Sequence, residues 1–519
     1  MERFEKMKAE RGFTNIHLQD IADYVHVHKG DFVIERMPGQ IATQKIYDNT
    51  AIEAAQRLAA SLYGGLTNSE SRWFNIGIKG KKHYKNLSLA GKQWLDNATL
   101  ITMNVFNSSW SGFASHNHEY LLSMVTLGTS AMFVEDALDK GIKFATVHLS
   151  EVYVAENKYG EIDTVARMFN FSARQMIQKF GEENVHKNVL KASEKDPDQK
   201  FKILHFVQPA SESNYDIGKH FKFVSCYVDT SNIHLIDCNG FYEMPYIVAR
   251  FDKRVGEVYG RSPAWNCLPA IKMINQMSKE LLIASEYKSR PPLLVSDDGV
   301  IVNIKATPGS IIAGGLGPDG QERIRPLMLG ADIQDGIEII TRQEQLIKES
   351  FFVDQLYFKE GTPVTATEAV QRSEEKLRMV TPHVSRIEAE YLNPLIERVF
   401  SILLRSGAFG TPPEELKGKD IEVEYLSPLS KLQKMSDISA LQRVLQVVAP
   451  LMQMDPTVMD GLNIADNVDY IGEAAGLPAR FLRSPEQIKQ IKAQRAQQQQ
   501  QQQQMQQAQQ MNEINKPLQ

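Results

Sequence analysis

The sequence predicts an α+β fold, mainly helical, on three observations. Apolar residues recur at helical spacing through much of the first hundred residues and again over 263–289, 331–353 and 365–406. Between 129 and 252 the period shifts to two, the alternation of half-buried strands. A Gly- and Pro-punctuated stretch near residue 300 separates two helical segments of matching length. A chain of 519 residues, 42% hydrophobic and 23% charged, has room for about three or four structural units.

Each element has a local reason. Thr50-Ala-Ile-Glu53 reads as a capping box, with Ile52, Ala55, Leu58, Ala59 and Leu62 following at helical spacing and Gly64-Gly65 as the stop. Trp94, Ala98, Ile101 and Val105 mark a second helix, so the first hundred-odd residues read as a helical bundle. SAMFVED and HLSEVYVAEN have strand composition, and the turn Asn157-Lys-Tyr-Gly160 joins the latter to EIDTVARMFNF as a hairpin. Ser172 opens the short helix SARQMIQKF, which Gly181 ends, and further strands are expected at KILHFVQP, HFKFVSCYVD and YIVARFD.

The middle of the chain is the most informative part. Residues 263–289 form a helix that starts with Pro263 and stops before Pro291-Pro292, with Leu268, Ile271, Ile274, Leu281 and Ala284 along one side. At 1.5 Å per residue it is roughly 40 Å long. A second helix over 331–353 carries Ile333, Ile337, Ile340, Ile347 and Phe351 on one face and is about 35 Å long. The intervening short strands complete an antiparallel stalk with a β tip. Two helices cannot bury their own apolar faces, so subunit packing through Ile271, Ile274, Leu281, Ile333, Ile337, Ile340 and Ile347 is expected. Beyond the loop VDQLYFKEGTPV, Thr365-Ala-Thr-Glu368 opens a helix of nearly forty residues. It should be kinked at Pro382 and Pro394 and ended by Gly407. The strand DIEVEYL, more helices over 430–490 and a Gln-rich tail complete the chain.

Several function classes are disfavoured. With 58 Lys+Arg against 63 Asp+Glu, the net charge of −5 argues against gripping nucleic acid over the whole surface. Cys226, Cys238 and Cys267 contain no close pair, which speaks against a disulfide scaffold or a Cys-based zinc site and suits a reducing compartment. Gly315-Leu-Gly317-Pro-Asp-Gly320 satisfies a dinucleotide fingerprint, but Arg325-Pro326 follows where a helix is required, so it reads as a turn. No phosphate-cradling P-loop appears. His26-Val-His28 and His116-Asn-His118-Glu119 would share a face if on strands, yet no further metal ligand is near, so they read as surface or packing histidines. No catalytic constellation, metal or cofactor is expected. The charged N-terminus lacks the apolar core of a signal peptide, and no apolar run reaches the ~18 residues that span a bilayer, so the chain reads as soluble. The second stalk helix carries Asp332, Asp335, Glu338, Glu344 and Glu349 against Arg342 and Lys348, an acidic face that would repel phosphate if it lined a channel.

The ordered set of stalk, β tip, loop and long kinked helix resembles the portal protein, or head-to-tail connector, of short-tailed double-stranded DNA bacteriophages. LAASLYGGLTNSESRWFNI, LLSMVTLGTSAMFVED with VYVAENKYGEIDTVARMF, and RSPAWNCLPAIKMIN are similar to family segments. TATEAVQRSEEKLRMVTPHVSRIEAEYLNPLIERVF, the long helix, is the most specific. The resemblance implies a portal fold. Its wing would be residues 1–260 with the long helix 365–406, its stem 263–289 and 331–353, and its clip 290–330. The tunnel loop would be 354–364, the crown 407–490, and 491–519 the start of a C-terminal helical barrel.

The same resemblance implies a non-enzymatic, dodecameric ring at one capsid vertex of the virion, assembled in the host cytoplasm, through which the genome is packaged and ejected. Its implied partners are double-stranded DNA, terminase, major capsid and scaffolding proteins, then the tail adaptor, tail tube and internal core proteins, with no membrane. Gln355, Tyr357 and Lys359 of the loop and Asp335, Glu338 and Arg342 of the stem would face the DNA. The alternatives are a capsid or tail protein without a channel, and an enzyme that processes DNA.

Overall fold

The computed structural model describes residues 1–425 except 28–29, 31, 35–39, 41–44, 70–71, 79–86, 138–140, 216–217, 219, 296–315, 317–319, 323, 327–332, 354–380 and 419–420; beyond 425 it describes only 444, 491, 493 and 494. In chain order its elements begin with α1 (Glu2–Glu10), α2 (Gly12–Tyr24), α3 (Thr50–Leu66), β1 (Phe74–Ile78), α4 (Leu89–Asn107) and α5 (Phe113–Leu127). There follow β2 (Thr129–Asp136), β3 (Ile142–Val147), β4 (Val152–Glu156), β5 (Ile162–Ser172), α6 (Ala173–Phe180), α7 (Lys187–Lys195), β6 (Lys200–Pro209), β7 (Phe223–Asp229), β8 (His234–Phe241) and β9 (Tyr246–Arg250). The chain continues through α8 (Pro263–Ser289), β10 (Leu293–Val295), β11 (Ile324–Pro326), α9 (Ile333–Ser350), a π-helical turn (Glu388–Leu392), α10 (Asn393–Arg405) and β12 (Ile421–Tyr425). This mixture of helix and sheet is the predicted class.

The chain forms two compact units. The first comprises Met1–Tyr63, Ser115–Glu135 and Phe144–Pro394. Its centre is an antiparallel sheet ordered β4-β5-β6-β7-β8, beside a second sheet ordered β3-β2-β9. Ala131, Phe133 and Val248 of the second sheet pack against Val152, Val154, Val165 and Val207 of the first. The amphipathic helices α6 and α7 cover Phe201, Ile203 and Tyr227 with Met176 and Val189, while Phe4 and Met7 of α1 cover Tyr153, Ala166 and Leu204. His205 ties the sheets together. Its ring nitrogens share hydrogen bonds with Tyr246 Oη at 2.7 Å and Ser225 Oγ at 2.8 Å, and its ring stacks on Tyr227 at 3.9 Å.

The second unit comprises Gly64–Ala114, Asp136–Lys143 and the chain from Leu395 onward. Here β1 pairs antiparallel with β12, from Phe74 opposite Tyr425 to Ile78 opposite Ile421. Trp73, Phe74, Phe106 and Phe113 build an aromatic core, with ring separations of 4.6 Å for Trp73–Phe74 and 4.7 Å for Phe106–Phe113. Thr99 Oγ1 satisfies the Ile76 amide at 3.1 Å, holding α4 to the strand.

Several expectations need correction. The first hundred residues are not all helical: FNIGI is β1, whose partner lies hundreds of residues away and leaves no local signal. Thr50 is the first helical residue rather than the cap. Asp48 Oδ1 accepts from its amide at 2.9 Å, Glu53 pairs instead with Arg57, and α3 runs through Gly64-Gly65 to Leu66. Strands β3 and β8 were not expected. With β8 in place, Cys226 lies directly opposite Cys238 and the two form a disulfide, so cysteines distant in sequence do pair. His116 and His118 lie on α5, where helical geometry turns them apart, and His26 is buried beside His148 and Thr126; His28 lies outside the described residues. The other local readings match: the Asn157–Gly160 turn joins β4 to β5 with Gly160 at φ 79°, and Ser172 and Gln175 form a capping box. Of the glycine fingerprint, Leu316, which bridges Glu322, and Gly320, at φ 73°, are described; 315 and 317–319 lie outside the described residues.

This packing makes three outcomes testable. Burial, with Lys179 and Arg167 nearby, drives the His205 pKa well below its ordinary value. The unfolded imidazole binds a proton near pH 6.5 and the folded one does not, so protons favour unfolding. Stability should be full above about pH 6.5 and fall by up to ~1.4 kcal/mol per pH unit below it. Thermal melts of the wild type and His205→Gln from pH 7.5 to 5 check this; the variant should lose that part of the slope. Second, Gly128 (φ 84°) and Gly260 cross backbone to backbone, and a Cβ on either would overlap the other's carbonyl oxygen. Alanine at either position should destabilise by about 2 kcal/mol or more. Gly12→Ala, at the open start of α2, should stabilise by about 0.5 kcal/mol in the same melts.

Candidate functional site

The structure concentrates its unusual features in the helix pair α8 and α9, joined through the two-stranded pairing of β10 with β11. Helix α8 has the bounds the sequence implied, because its start is written locally. Ser262 Oγ accepts from the Trp265 amide at 3.1 Å and Pro263 occupies the first turn, where its missing N–H costs nothing. The same Ser262 hydroxyl donates to the Thr126 carbonyl at 2.6 Å, and the Gly260 amide donates to Thr129 Oγ1 at 2.8 Å. With the glycine crossing, these bonds anchor the root of α8 to the end of α5.

Burial divides α8 in two. Pro263, Ala264, Cys267, Leu268, Ile271, Ile274 and Asn275 are buried, and Asn275 Oδ1 receives the amides of Tyr47 at 2.8 Å and Asp48 at 3.2 Å. Past Asn275 no residue of α8 is buried, and Leu282, Ile283 and Tyr287 are exposed. Helix α9 mirrors this, with Ile347 as its buried residue and Phe351 and Val353 buried just beyond its end. Phe352, at φ 57°, turns the chain there, and His383 lies with its ring stacked on Phe251 at 4.6 Å and 5.6 Å from that of Phe352. Gly336 lets α9 approach Leu281 of α8. Rooted at one end, the pair has little cover at the other.

The predicted subunit-packing residues therefore separate. Ile271, Ile274 and Ile347 are fully buried within the chain and have no surface left for a neighbour. Leu281, Ile333 and Ile340 are half-buried. Ile337 is 45% exposed, as are Ile339 and Leu346, two apolar side chains the periodicity did not single out. Ile337 and Leu346 line an open groove of about 480 Å³ on α9, together with Glu338, Thr341, Arg342, Gln345 and Glu349.

Electrostatically α9 is acidic: Asp335, Glu338, Glu344 and Glu349 outnumber Arg342 and Lys348, and Lys348 is engaged with Glu344 at 3.1 Å. Asp335, Glu338 and Arg342 are exposed. On α8 the distal half balances exposed Lys279 and Lys288 against exposed Glu280 and Glu286, with Arg290 just past its end. Gln355, Tyr357 and Lys359 lie outside the described residues, as do the rest of the 354–364 loop, the 365–368 capping box, most of 290–330, and nearly all of 426–519.

The long helix supplies the support. Residues 381–387 are helical, the turn Glu388–Leu392 widens to π geometry, and α10 follows. Pro394 has no amide to give the Glu390 carbonyl, and the helix deforms there as its sequence predicts. Within this turn Glu390 accepts from the Arg250 amide and Nε, both at 3.0 Å, and from Nη2 at 2.8 Å. Arg250 also pairs with Glu156, which Lys253 contacts as well. Tyr391 stacks on Tyr120 at 4.1 Å and donates to Asn117 Oδ1 at 2.7 Å. These charges serve the fold. Among the described residues no group of three His, Cys, Asp or Glu is placed to hold a metal ion, and no helix is long and apolar enough to cross a membrane.

The first unit thus combines a helical hairpin rooted at one end with two packed sheets and a helix that widens to π geometry. The chain belongs to the family of bacteriophage head to tail connecting proteins, which it matches over residues 1–482. It is similar to the probable portal protein of Bordetella phage BPP-1, 26% identical over 498 residues that cover 94% of this chain and 89% of that one. It is equally similar to the portal protein of Salmonella phage epsilon15, 26% identical over 504 residues with the same coverage. The family resemblance read from the sequence is thereby shown.

The burial pattern separates two isoleucines of one helix. Ile347→Asp should destabilise by about 3 kcal/mol or more, because it buries a carboxylate and removes apolar packing. Ile337→Asp should leave the stability of the isolated subunit within about 0.5 kcal/mol. Chemical denaturation of the dissociated subunit checks both.

Proposed function

We propose that the chain is the subunit of a dodecameric portal ring at one capsid vertex, the channel through which double-stranded DNA enters and leaves the head. The observation that carries the reading is the distal stem: Leu282, Ile283, Ile337, Ile339 and Leu346 are between 42% and 60% exposed on two helices, an apolar surface that wants cover. In a ring each stem finds that cover on its neighbours, removing roughly 25 cal/mol of unfavourable hydration per Å² buried. The acidic α9 face, with Asp335, Glu338 and Arg342, then lines a wall along which phosphates slide rather than bind. The loop 354–364, with Gln355, Tyr357 and Lys359, is the part that meets DNA. The β tip is the docking platform, first for terminase and then for the tail, and the body contacts capsid, scaffolding and internal core proteins. The ring acts as a conduit and a joint, not as an enzyme, and it is assembled in the host cytoplasm before it becomes part of the virion.

Native mass spectrometry with negative-stain imaging tests the reading. The expected result is a ring near twelve subunits with a central hole; a compact dimer without one refutes it. Ile337→Asp combined with Ile340→Asp should abolish rings. Lys359→Ala should leave rings intact and change the packaged genome content, and an unchanged content removes that lysine from the DNA path.

A further inference from the structure

The disulfide between Cys226 and Cys238 has a position that gives it a use. Strand order makes β8 an end strand of the five-stranded sheet, held only by β7. Register places Ala166, Phe206, Cys226 and Cys238 opposite one another across β5, β6, β7 and β8, so all four share one face. The inner part of this row is supported: Ala166 is buried and Phe206 is packed in the cluster that Phe4 and Met7 of α1 complete. The outer part is the cysteine pair, partly exposed, with Cα atoms 4.2 Å apart. Directly beside it the register slips between Tyr227 and Val228, so the ladder is weakest where the sulfurs meet.

The third cysteine behaves differently. Cys267 is buried in the root of α8, where burial pushes its thiol pKa up to about 12. It offers neither access nor thiolate to an oxidant. Redox chemistry on this chain therefore falls on one pair.

We propose that Cys226 and Cys238 are a reversible redox staple on the β7–β8 hairpin, open as two thiols in a reducing medium and closed by exchange with a small disulfide of the oxidised-glutathione class. One cysteine thiolate attacks the small disulfide, forming a mixed disulfide and releasing one reduced thiol. The second cysteine loses its proton and attacks the protein sulfur of the mixed disulfide, and a second small thiol leaves. The protein gives up two electrons and two protons, and the small disulfide takes up both. Closure fixes the register of an end hairpin whose unsatisfied edge would otherwise fray. The moment of closure, on leaving a reducing cytoplasm, rests on the portal reading above; the chemistry does not.

The test uses the full chain, reduced and then equilibrated in buffers of reduced and oxidised glutathione, trapped by alkylation and weighed intact. The expected product has lost two hydrogens, carries no glutathione, and leaves Cys267 as the single thiol alkylated after denaturation. Backbone amides of 223–241 should then exchange with deuterium on the order of 100-fold more slowly than in the dithiol form. Cys226→Ser and Cys238→Ser should each retain a glutathione adduct and lose that protection, and Cys267→Ala should behave as wild type. Free thiols or stable adducts on the wild type in oxidised buffer would overturn the proposal, and so would a closed bond without slowed exchange. Rings and dissociated subunits serve equally for this measurement, so its failure leaves the ring assay untouched and the reverse.

Discussion

The first unit turns on two backbones passing within contact of each other at Gly128 and Gly260. One carries the chain out of α5 into the second sheet, and the other carries it from that sheet into the stem. Without side chains at the crossing, the Gly260 amide reaches Thr129 and the Ser262 hydroxyl reaches Thr126. The direction of a helix of 27 residues is thus set within three residues of its start. A few degrees of error at such a pivot would displace the far end by several ångströms, since the helix is roughly 40 Å long.

Beyond the pivot, burial is confined to one part of the two helices. The root is consumed inside the chain, with Ile271, Ile274 and Ile347 fully covered, while the distal half keeps its apolar side chains at the surface. The π turn makes a similar division on the long helix. Pro394 removes one backbone bond, and Glu390 at the same place gathers an arginine from β9, so the sheet grips the helix where its own ladder is broken. The wider turn also orients a half-buried acid, Glu390, toward the sheet.

Sequence patterns reported what neighbouring residues decide and missed what distant ones decide. Both ends of α8 were readable, because Ser262, Pro263 and Pro291 act within one turn. The hairpin at Asn157–Gly160 and the helix opened by Ser172 were readable for the same reason. Strand β1 was not, since its five residues alternate too briefly to outweigh the helices around them. The disulfide was hidden behind the unexpected β8, for only the register puts Cys226 opposite Cys238. For the stem, a period of 3.6 says that a helix has an apolar face and is silent on what covers it. That is why Ile271 and Ile337 looked alike in the sequence and differ in the structure. The acidic side of α9 was legible as composition, and the exposed lysines of α8 were diluted among acids of similar number.

The pairing of β1 with β12 has a consequence for synthesis. Ile78 waits for Ile421, so the small sheet of the second unit stays unmade until most of the chain has left the ribosome. At ordinary elongation rates that interval is on the order of half a minute, during which Trp73, Phe74 and Ile76 belong to an unfinished surface. The first unit draws its two sheets from residues between 129 and 250 and needs no such delay. Birth order alone thus gives the nascent chain a period in which the strands of the first unit's sheets are all present while those of the second unit's small sheet are not.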